Sequence, residues 1–393
     1  MKRLALFLDG TWNDPDDHTN VWRLQLMLAR PLAGDVRQLA YYHRGVGSGW
    51  HDRFSGGAFG RGVSRNVCRA YRWLMGHYDL GDEIYLFGFS RGAFTARSLA
   101  GMIAKCGLLM PEAPLAVPEV FDYYRQRQTP LYRLEYLARR GDRAGHDWQP
   151  RQRALVRYSK RVPIRFIGVF DTVGTLGIPL GRWPGISRRG VTFHHTRLSK
   201  IFENACQALA IDEHRGPYRA GLWRRFIPDA DPHQVDADVE AESEGSETRP
   251  RVEQRWFAGA HANIGGGYPL DPLSQLPLRW MQERATEAGL GFRRTVPIRG
   301  DEHLGEIRDS YREFLGGMYA LGTFGRRRYR QIRGPAEPRV AADGTPGRIE
   351  TVNETIDESV MRRWHEDPGY RPRNLADPFD VHIDTYRPGP SAP

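Results

Sequence analysis

Cysteine is scarce in this chain of 393 residues, and Cys68, Cys106 and Cys206 lie far apart without a Cys-x-x-Cys pair. That argues against a zinc ribbon or a disulfide framework and fits folding in a reducing compartment. Lysine is scarcer than the charge suggests. It stands only at Lys2, Lys105, Lys160 and Lys200, so arginine carries almost all of the net charge of +10. No basic helix has base-reading spacing, so no nucleic-acid partner is expected. Attraction to anionic lipid headgroups, a peripheral membrane contact, stays open. No apolar run approaches the length of a membrane span. Met1-Lys2-Arg3 and the apolar residues 4–8 imitate the start of a leader peptide, but Asp9 closes the run too early. The chain is therefore expected to be cytoplasmic as synthesised, with any export proceeding without a signal peptide. No metal site and no organic cofactor are expected, and the sequence leaves the oligomeric state undetermined.

What is present describes a globular protein: 40% hydrophobic, 11% aromatic and 26% charged residues. Short buried-strand patterns at 4–8, 36–42, 84–89, 165–170 and 252–258 alternate with helical spacing at 63–78, 93–100 and 273–290. The glycine-rich residues 43–50 and 56–60 are expected to form a loop before the helix at 63–78. Alternation of this kind predicts an α/β fold, a mostly parallel sheet with helices on both faces. A further helix is expected over 195–209, one around 312–321 and one near 359–364. Residues 111–160 break the rhythm and are expected to form a helical insertion or lid. The acidic residues 229–250 are expected to form a mobile loop. Residues 1–290 would then be the core, and 291–393 a C-terminal extension packed on it.

The sharpest signal is Ile84-Tyr85-Leu86-Phe87-Gly88-Phe89-Ser90-Arg91-Gly92-Ala93, an apolar strand running into Gly-x-Ser-x-Gly and then a helix. So tight a turn presses the backbone on either side against the serine, so its neighbours at Gly88 and Gly92 must be nearly side-chain-free. Ser90 would stand at the carboxyl end of a strand. A serine hydroxyl attacks only when a base takes its proton, and the base needs a third group to hold its tautomer. Asp171 and His261 also follow buried strands, and the order Ser90, Asp171, His261 is that of α/β hydrolases. His194, His195 and His214 are rivals for the base, but they flank predicted helices instead of ending a strand. An oxyanion hole would use the backbone N–H of Arg91 with a second donor from the loop after the first strand, at Gly10 or Thr11. That loop carries Asp9-Gly10-Thr11, which imitates the haloacid-dehalogenase motif; Phe7 occupies the slot of the nucleophilic aspartate, so that assignment is rejected.

Asp9-Gly10-Thr11, the segment 82–93, Phe166-Ile167-Gly168-Val169-Phe170-Asp171-Thr172-Val173 and the segment 256–268 (WFAGAHANIGGGY) together resemble an α/β-hydrolase family that includes the first class of type VI secretion lipase effectors. The likeness resumes at 354–360 and 370–375. The resemblance implies Ser90, Asp171 and His261 as the triad and, in the effector branch, hydrolysis of phospholipid acyl esters. It also implies secretion machinery or an immunity protein as partners. One departure stands two residues after the histidine, where the family's usual aspartate is Asn263.

The sequence thus leads to a serine carboxylic-ester hydrolase of phospholipase or lipase type, with a lipid or other ester as substrate. A small-ester or thioester hydrolase is the related alternative. A non-catalytic hydrolase-like binding or effector module is the alternative of another class.

Overall fold

Leu4, Leu6 and Leu8 point to one side of the first strand, Ala5 and Phe7 to the other, and all five are buried. A strand apolar on both faces belongs in the middle of a covered sheet. That is where the computed structural model places it. The structure describes residues 1–10, 18–29, 36–45, 56–126, 128–139, 148–173, 201–229, 251–341 and 344–375, with side chains omitted at 56–61 and 315.

Seven strands form the central sheet: β1 (Lys2–Leu8), β2 (Arg37–His43), β3 (Glu83–Phe89), β6 (Ile164–Phe170), β7 (Phe202–Ala210), β9 (Arg251–Phe257) and β12 (Glu354–Ile356). Their order is β12-β9-β7-β6-β3-β1-β2, and every neighbouring pair is parallel. The chain steps from β1 to β2 in one direction and from β3 onward in the other. The direction therefore reverses between β1 and β3, and in open α/β sheets that point opens a crevice at the carboxyl ends. Both β1 and β3 deliver candidate site residues there. A strand order of this kind with a Gly-x-Ser-x-Gly turn after β3 is an α/β-hydrolase fold.

Helices α2 (Gly56–His77) and α3 (Arg91–Cys106) cover one face through Val67, Tyr71, Leu74, Ala96, Leu99 and Ile103. The other face lies under α1 (Asn20–Met27) and α8 (Gln275–Glu287), where Val21, Leu24, Leu278 and Met281 meet Phe7, Phe87 and Phe166. Each fully buried Leu or Phe contributes about 2 kcal/mol.

Residues 111–160 are helical as expected, in α4 (Val117–Arg125), α5 (Leu131–Arg139) and α6 (Pro150–Tyr158). Two short antiparallel strands, β4 (Leu108–Leu109) and β5 (Ser159–Lys160), tie the ends of this stretch together. Val120, Phe121, Leu131 and Leu155 join the core cluster that α2 and α3 build.

Several local expectations change. Residues 202–210 form strand β7, not the carboxyl half of a helix; the part of that expectation at 195–200 lies outside the described residues. FENACQALA is alanine-rich, which suggests a helix, but a strand buried on both faces also favours small apolar residues, and six of its nine are buried in a row. Gly56–Gly60 belong to the first turns of α2 instead of a loop, since glycine weakens a helix without forbidding it. The helix expected at 312–321 breaks into α9 (Ser310–Glu313), a 3₁₀ turn (Phe314–Gly317) and α10 (Met318–Gly322), because Gly316 and Gly317 take positive φ. The acidic segment 230–250 lies outside the described residues.

Residues 291–375 do more than cover the core. Beyond β12 they supply β10 (Glu337–Val340) and β11 (Pro346–Thr351), which pair antiparallel as β10-β11-β8 with β8 (Arg224–Pro228). Helix α11 (Glu358–Glu366) follows β12 and buries Val360 beside Trp256 and Ile356.

Candidate active site

Ser90 leaves β3 at φ 55° and ψ −115°, a conformation that side chains rarely adopt, and α3 begins at the next residue. The turn is held by Ser90 N–H donating to the Phe170 carbonyl at 3.0 Å. Its tightness explains the two glycines. A Cβ on Gly88 would come within 2.6 Å of Ala93 Cα, and one on Gly92 would overlap the carbonyl oxygen of Leu8. Gly92 therefore lets α3 start directly against the end of β1.

Asp171 follows β6 and its N–H donates to Ala208 O at 2.8 Å across the sheet. His261 opens the short helix α7 (His261–Gly265) just after β9. The structure brings all three side chains together. His261 Nε2 lies 2.8 Å from Ser90 Oγ, and His261 Nδ1 lies 2.5 Å from Asp171 Oδ2. The imidazole is packed by Phe89 at 4.8 Å and, edge-on, by Tyr218 at 5.1 Å between ring centroids. Among the rivals, His214 packs its ring against Tyr329, while His194 and His195 lie outside the described residues.

Electrostatics explains how a buried carboxylate stays charged there. Burial pushes Asp171 up, but the Arg330 guanidinium and His261 outweigh it and hold the carboxyl well below the usual range. Arg330 binds it with two prongs, Nη1 to Oδ1 at 2.5 Å and Nη2 to Oδ2 at 2.9 Å. Arg330 is itself fixed by the carbonyls of Ala210 at 3.0 Å and Tyr218 at 2.6 Å. Ala210 N–H also donates to Asp171 Oδ1, at 3.1 Å. For His261, burial lowers the pKa below its ordinary 6.5, and the hydrogen bond and charge of Asp171 work against that. The imidazole is thus neutral at pH 7 with a partner ready to stabilise its charged form.

A second buried pair sits behind the histidine. Glu213 receives Arg215 Nε at 2.9 Å and Nη2 at 2.7 Å, and also Ser310 Oγ at 3.1 Å. Burial raises the Glu213 carboxyl, but Arg215 dominates and brings it down to about 2. Arg215 lies 3.6 Å over the ring of Tyr218, so the pair braces the aromatic wall beside His261.

The oxyanion candidates fare differently. Arg91 heads α3, where amide and helix dipole both favour negative charge. Gly10 N–H donates to Asp9 Oδ1 at 2.7 Å, so in this conformation it is turned onto its neighbour. Asp9 also receives Thr19 Oγ1 at 2.5 Å and Tyr42 OH at 2.9 Å, which ties the loop after β1 to α1 and β2. Thr11 lies outside the described residues.

Asn263 has a clear local job. Its Oδ1 accepts from Ala260 N–H at 3.0 Å, and its Nδ2 donates to Asp271 Oδ1 at 3.2 Å. Burial pushes Asp271 up to about 6. An aspartate at 263 would set a second carboxylate beside it and remove that donor, which gives the amide a physical reason.

Arg330, Glu213 and Tyr218 escaped the sequence reading. Arg330 is one of four arginines within 326–330, with Arg326, Arg327 and Arg328, and nothing in its neighbours separates it from an exposed charge run. Glu213 and Arg215 flank His214, and nothing in the sequence separates them from an exposed ion pair.

Fold and geometry define the class, an α/β hydrolase with a serine, a histidine and an aspartate in line at the sheet's carboxyl rim. Residues 2–284 match the family described as T6SS, phospholipase effector Tle1-like, catalytic domain, and the chain belongs to that family. It is 29% identical over 241 residues to the uncharacterized protein YEL023C of Saccharomyces cerevisiae, covering 56% of this chain and 32% of that protein. The chain thus spans about a third of the length of this curated relative. Among solved structures it is similar to a Tle1 effector bound to the VgrG spike of the type 6 secretion system, at 14% identity and TM-score 0.41, covering 91% and 92% of the two chains. It is also similar to an uncharacterized protein from Pseudomonas aeruginosa, at 16% identity and TM-score 0.40 over 74% and 46%. The apo form of Thermogutta terrifontis esterase 2 gives 14% identity and TM-score 0.36 over 74% and 84%.

Proposed function

We propose that this chain hydrolyses carboxylic esters of phospholipids, with Ser90 as nucleophile, His261 as general base and acid, and Asp171 as the group that orients the imidazole. The observation that carries the reading is the continuous chain Ser90 Oγ, His261, Asp171 with contacts of 2.8 and 2.5 Å. The family's description supports the phospholipid as substrate and a place among the cargo of type VI secretion.

In the first half-reaction Ser90 Oγ attacks the ester carbonyl while His261 Nε2 takes the hydroxyl proton. The carbonyl oxygen gains the negative charge and turns toward the Arg91 amide at the start of α3. The C–O bond to the alcohol then breaks, His261 returns the proton to that leaving oxygen, and an acyl-Ser90 ester remains. Water, deprotonated by His261, repeats the sequence and releases the fatty acid. Throughout, Asp171 stays ionised because Arg330 offsets its burial.

Ser90→Ala is expected to lower kcat on phospholipid about 10⁵-fold while leaving the fold intact, and to abolish labelling by a fluorophosphonate probe. Full activity in that variant would end the proposal. A well-folded parent chain that takes no label would point instead to a binding module on a hydrolase scaffold.

A further inference from the structure

Three large apolar side chains stand in water within seven residues: Met318 is 66% exposed, Leu321 78% and Phe324 88%. They lie on and just after α10. Phe324 also takes φ 51°, a conformation that a bulky residue adopts only where something holds it there. Other exposed large apolar side chains among the described residues, such as Leu80 and Leu270, are more scattered along the chain, and a cluster of this kind marks a contact surface.

Its position ties it to the active site. Just before it, Phe314 packs 5.9 Å from Tyr218, the residue edge-on to His261. Tyr319, inside α10, accepts a hydrogen bond from Gly216 N–H at 3.2 Å. Just after it, Arg328 N–H donates to His214 O at 3.0 Å, and two residues on, Arg330 grips Asp171. The apolar turn is therefore flanked by Phe314, which packs on the tyrosine beside His261, and by Arg330, which holds Asp171, while Met318, Leu321 and Phe324 between them stand in solvent.

Charge decides the occupant. Arg326 and Arg328 are exposed, and neither makes an ion pair among the described residues. The nearby acids are taken, Asp309 by Arg327 at 2.5 Å and Glu313 by Arg308 at 3.8 Å. Exposed apolar side chains with arginines behind them match a surface with anionic headgroups above hydrocarbon.

We propose that the turn 318–324 and the arginines after it dock the mouth of the active site on an anionic phospholipid surface, with Met318, Leu321 and Phe324 entering the headgroup layer. This rests on the phospholipase reading for its purpose, but its test does not. In a Ser90→Ala background, which leaves vesicles intact, the full chain is expected to co-sediment with phosphatidylglycerol–phosphatidylethanolamine vesicles more strongly than with phosphatidylcholine vesicles. Met318→Gln/Leu321→Gln/Phe324→Gln is expected to weaken that binding about a hundred-fold. Arg326→Gln/Arg328→Gln is expected to weaken it about ten-fold and to flatten its salt dependence. Equal binding by the apolar triple variant and its parent overturns the proposal. So does gel filtration showing a parent dimer that the triple variant converts to monomer, since the patch would then belong to a second copy. With Ser90 restored, the triple variant should lose vesicle hydrolysis but keep hydrolysis of a water-soluble short-chain ester. Absence of ester hydrolysis in the restored parent sinks the hydrolase reading alone, and sedimentation still decides the docking.

Discussion

Ser90 and Arg330 belong to one hydrogen-bonded chain through His261 and Asp171, yet they reach it on very different stretches of polypeptide. Ser90 comes at the end of a regular strand whose every residue from Ile84 to Phe89 is buried. Arg330 comes from a stretch with short helical turns, several positive-φ residues and no strand at all. The first region places its group by backbone regularity: the strand sets the height and the glycines permit the turn. The second places its group by charge: Arg330 sits where a buried carboxylate and two carbonyls need it. Position by packing and position by electrostatics should therefore fail in different ways.

The largest effect should come from the regular side. Gly92→Ala forces a methyl group into the Leu8 carbonyl, with backbone on both sides and nothing flexible to yield. We expect a loss of about 4 kcal/mol or more, read as a collapse of the thermal transition. An unchanged Tm would mean that α3 and β1 can separate cheaply, and the contrast with the irregular region would lapse.

Arg330→Met should be milder for the fold and more specific for the chemistry. Breaking a buried ion pair destabilises by about 3 kcal/mol. Here the catalytic readout matters more. Without the guanidinium, the full charge of Asp171 acts on His261 and raises its pKa. Since the base must be neutral to accept a proton, the acid limb of kcat/KM, expected below pH 6.5 in the parent, should move to higher pH. A fall in activity with an unmoved limb would reduce Arg330 to a structural strut. Asp171→Asn in the Arg330→Met background should restore part of the stability, because the stranded charge is gone.

The smallest effect concerns Glu213 and Arg215. The Glu213 carboxyl lies at about 2 in the folded chain against 4.5 ordinarily. A depressed carboxyl stabilises above its unfolded value and loses that contribution as pH falls toward the folded one. Tm should therefore drop between about pH 4.5 and 2, and Glu213→Gln should flatten that part of the curve. Parallel curves for the two proteins would show that other carboxyls govern acid unfolding.

The same contrast marks what could be read from residues in order. Strands β1, β3 and β6 were legible because runs such as Ile84-Tyr85-Leu86-Phe87 are apolar on both faces, and β2 and β9 because Leu39-Ala40-Tyr41 and Trp256-Phe257 are short apolar runs. The glycine pair around Ser90 was legible because the turn has one steric solution. Strand β7 was misread because Ala-rich residues suit a helix and a doubly buried strand alike. β12 went unnoticed because three residues, Glu354–Ile356, carry no period to detect.

By itself the sequence determined the tight turn at Ser90, the order of Ser90, Asp171 and His261 along the chain, and the alternation that builds a parallel sheet. These follow from local sterics and burial, which act between residues close in the chain. Only the tertiary structure decided that Arg330 clamps Asp171, that Glu213 and Arg215 brace the wall beside His261, and that the apolar side chains of the turn 318–324 are left in solvent. Those depend on desolvation and charge between groups more than a hundred residues apart in some cases, and such pairings leave no periodic trace in the chain.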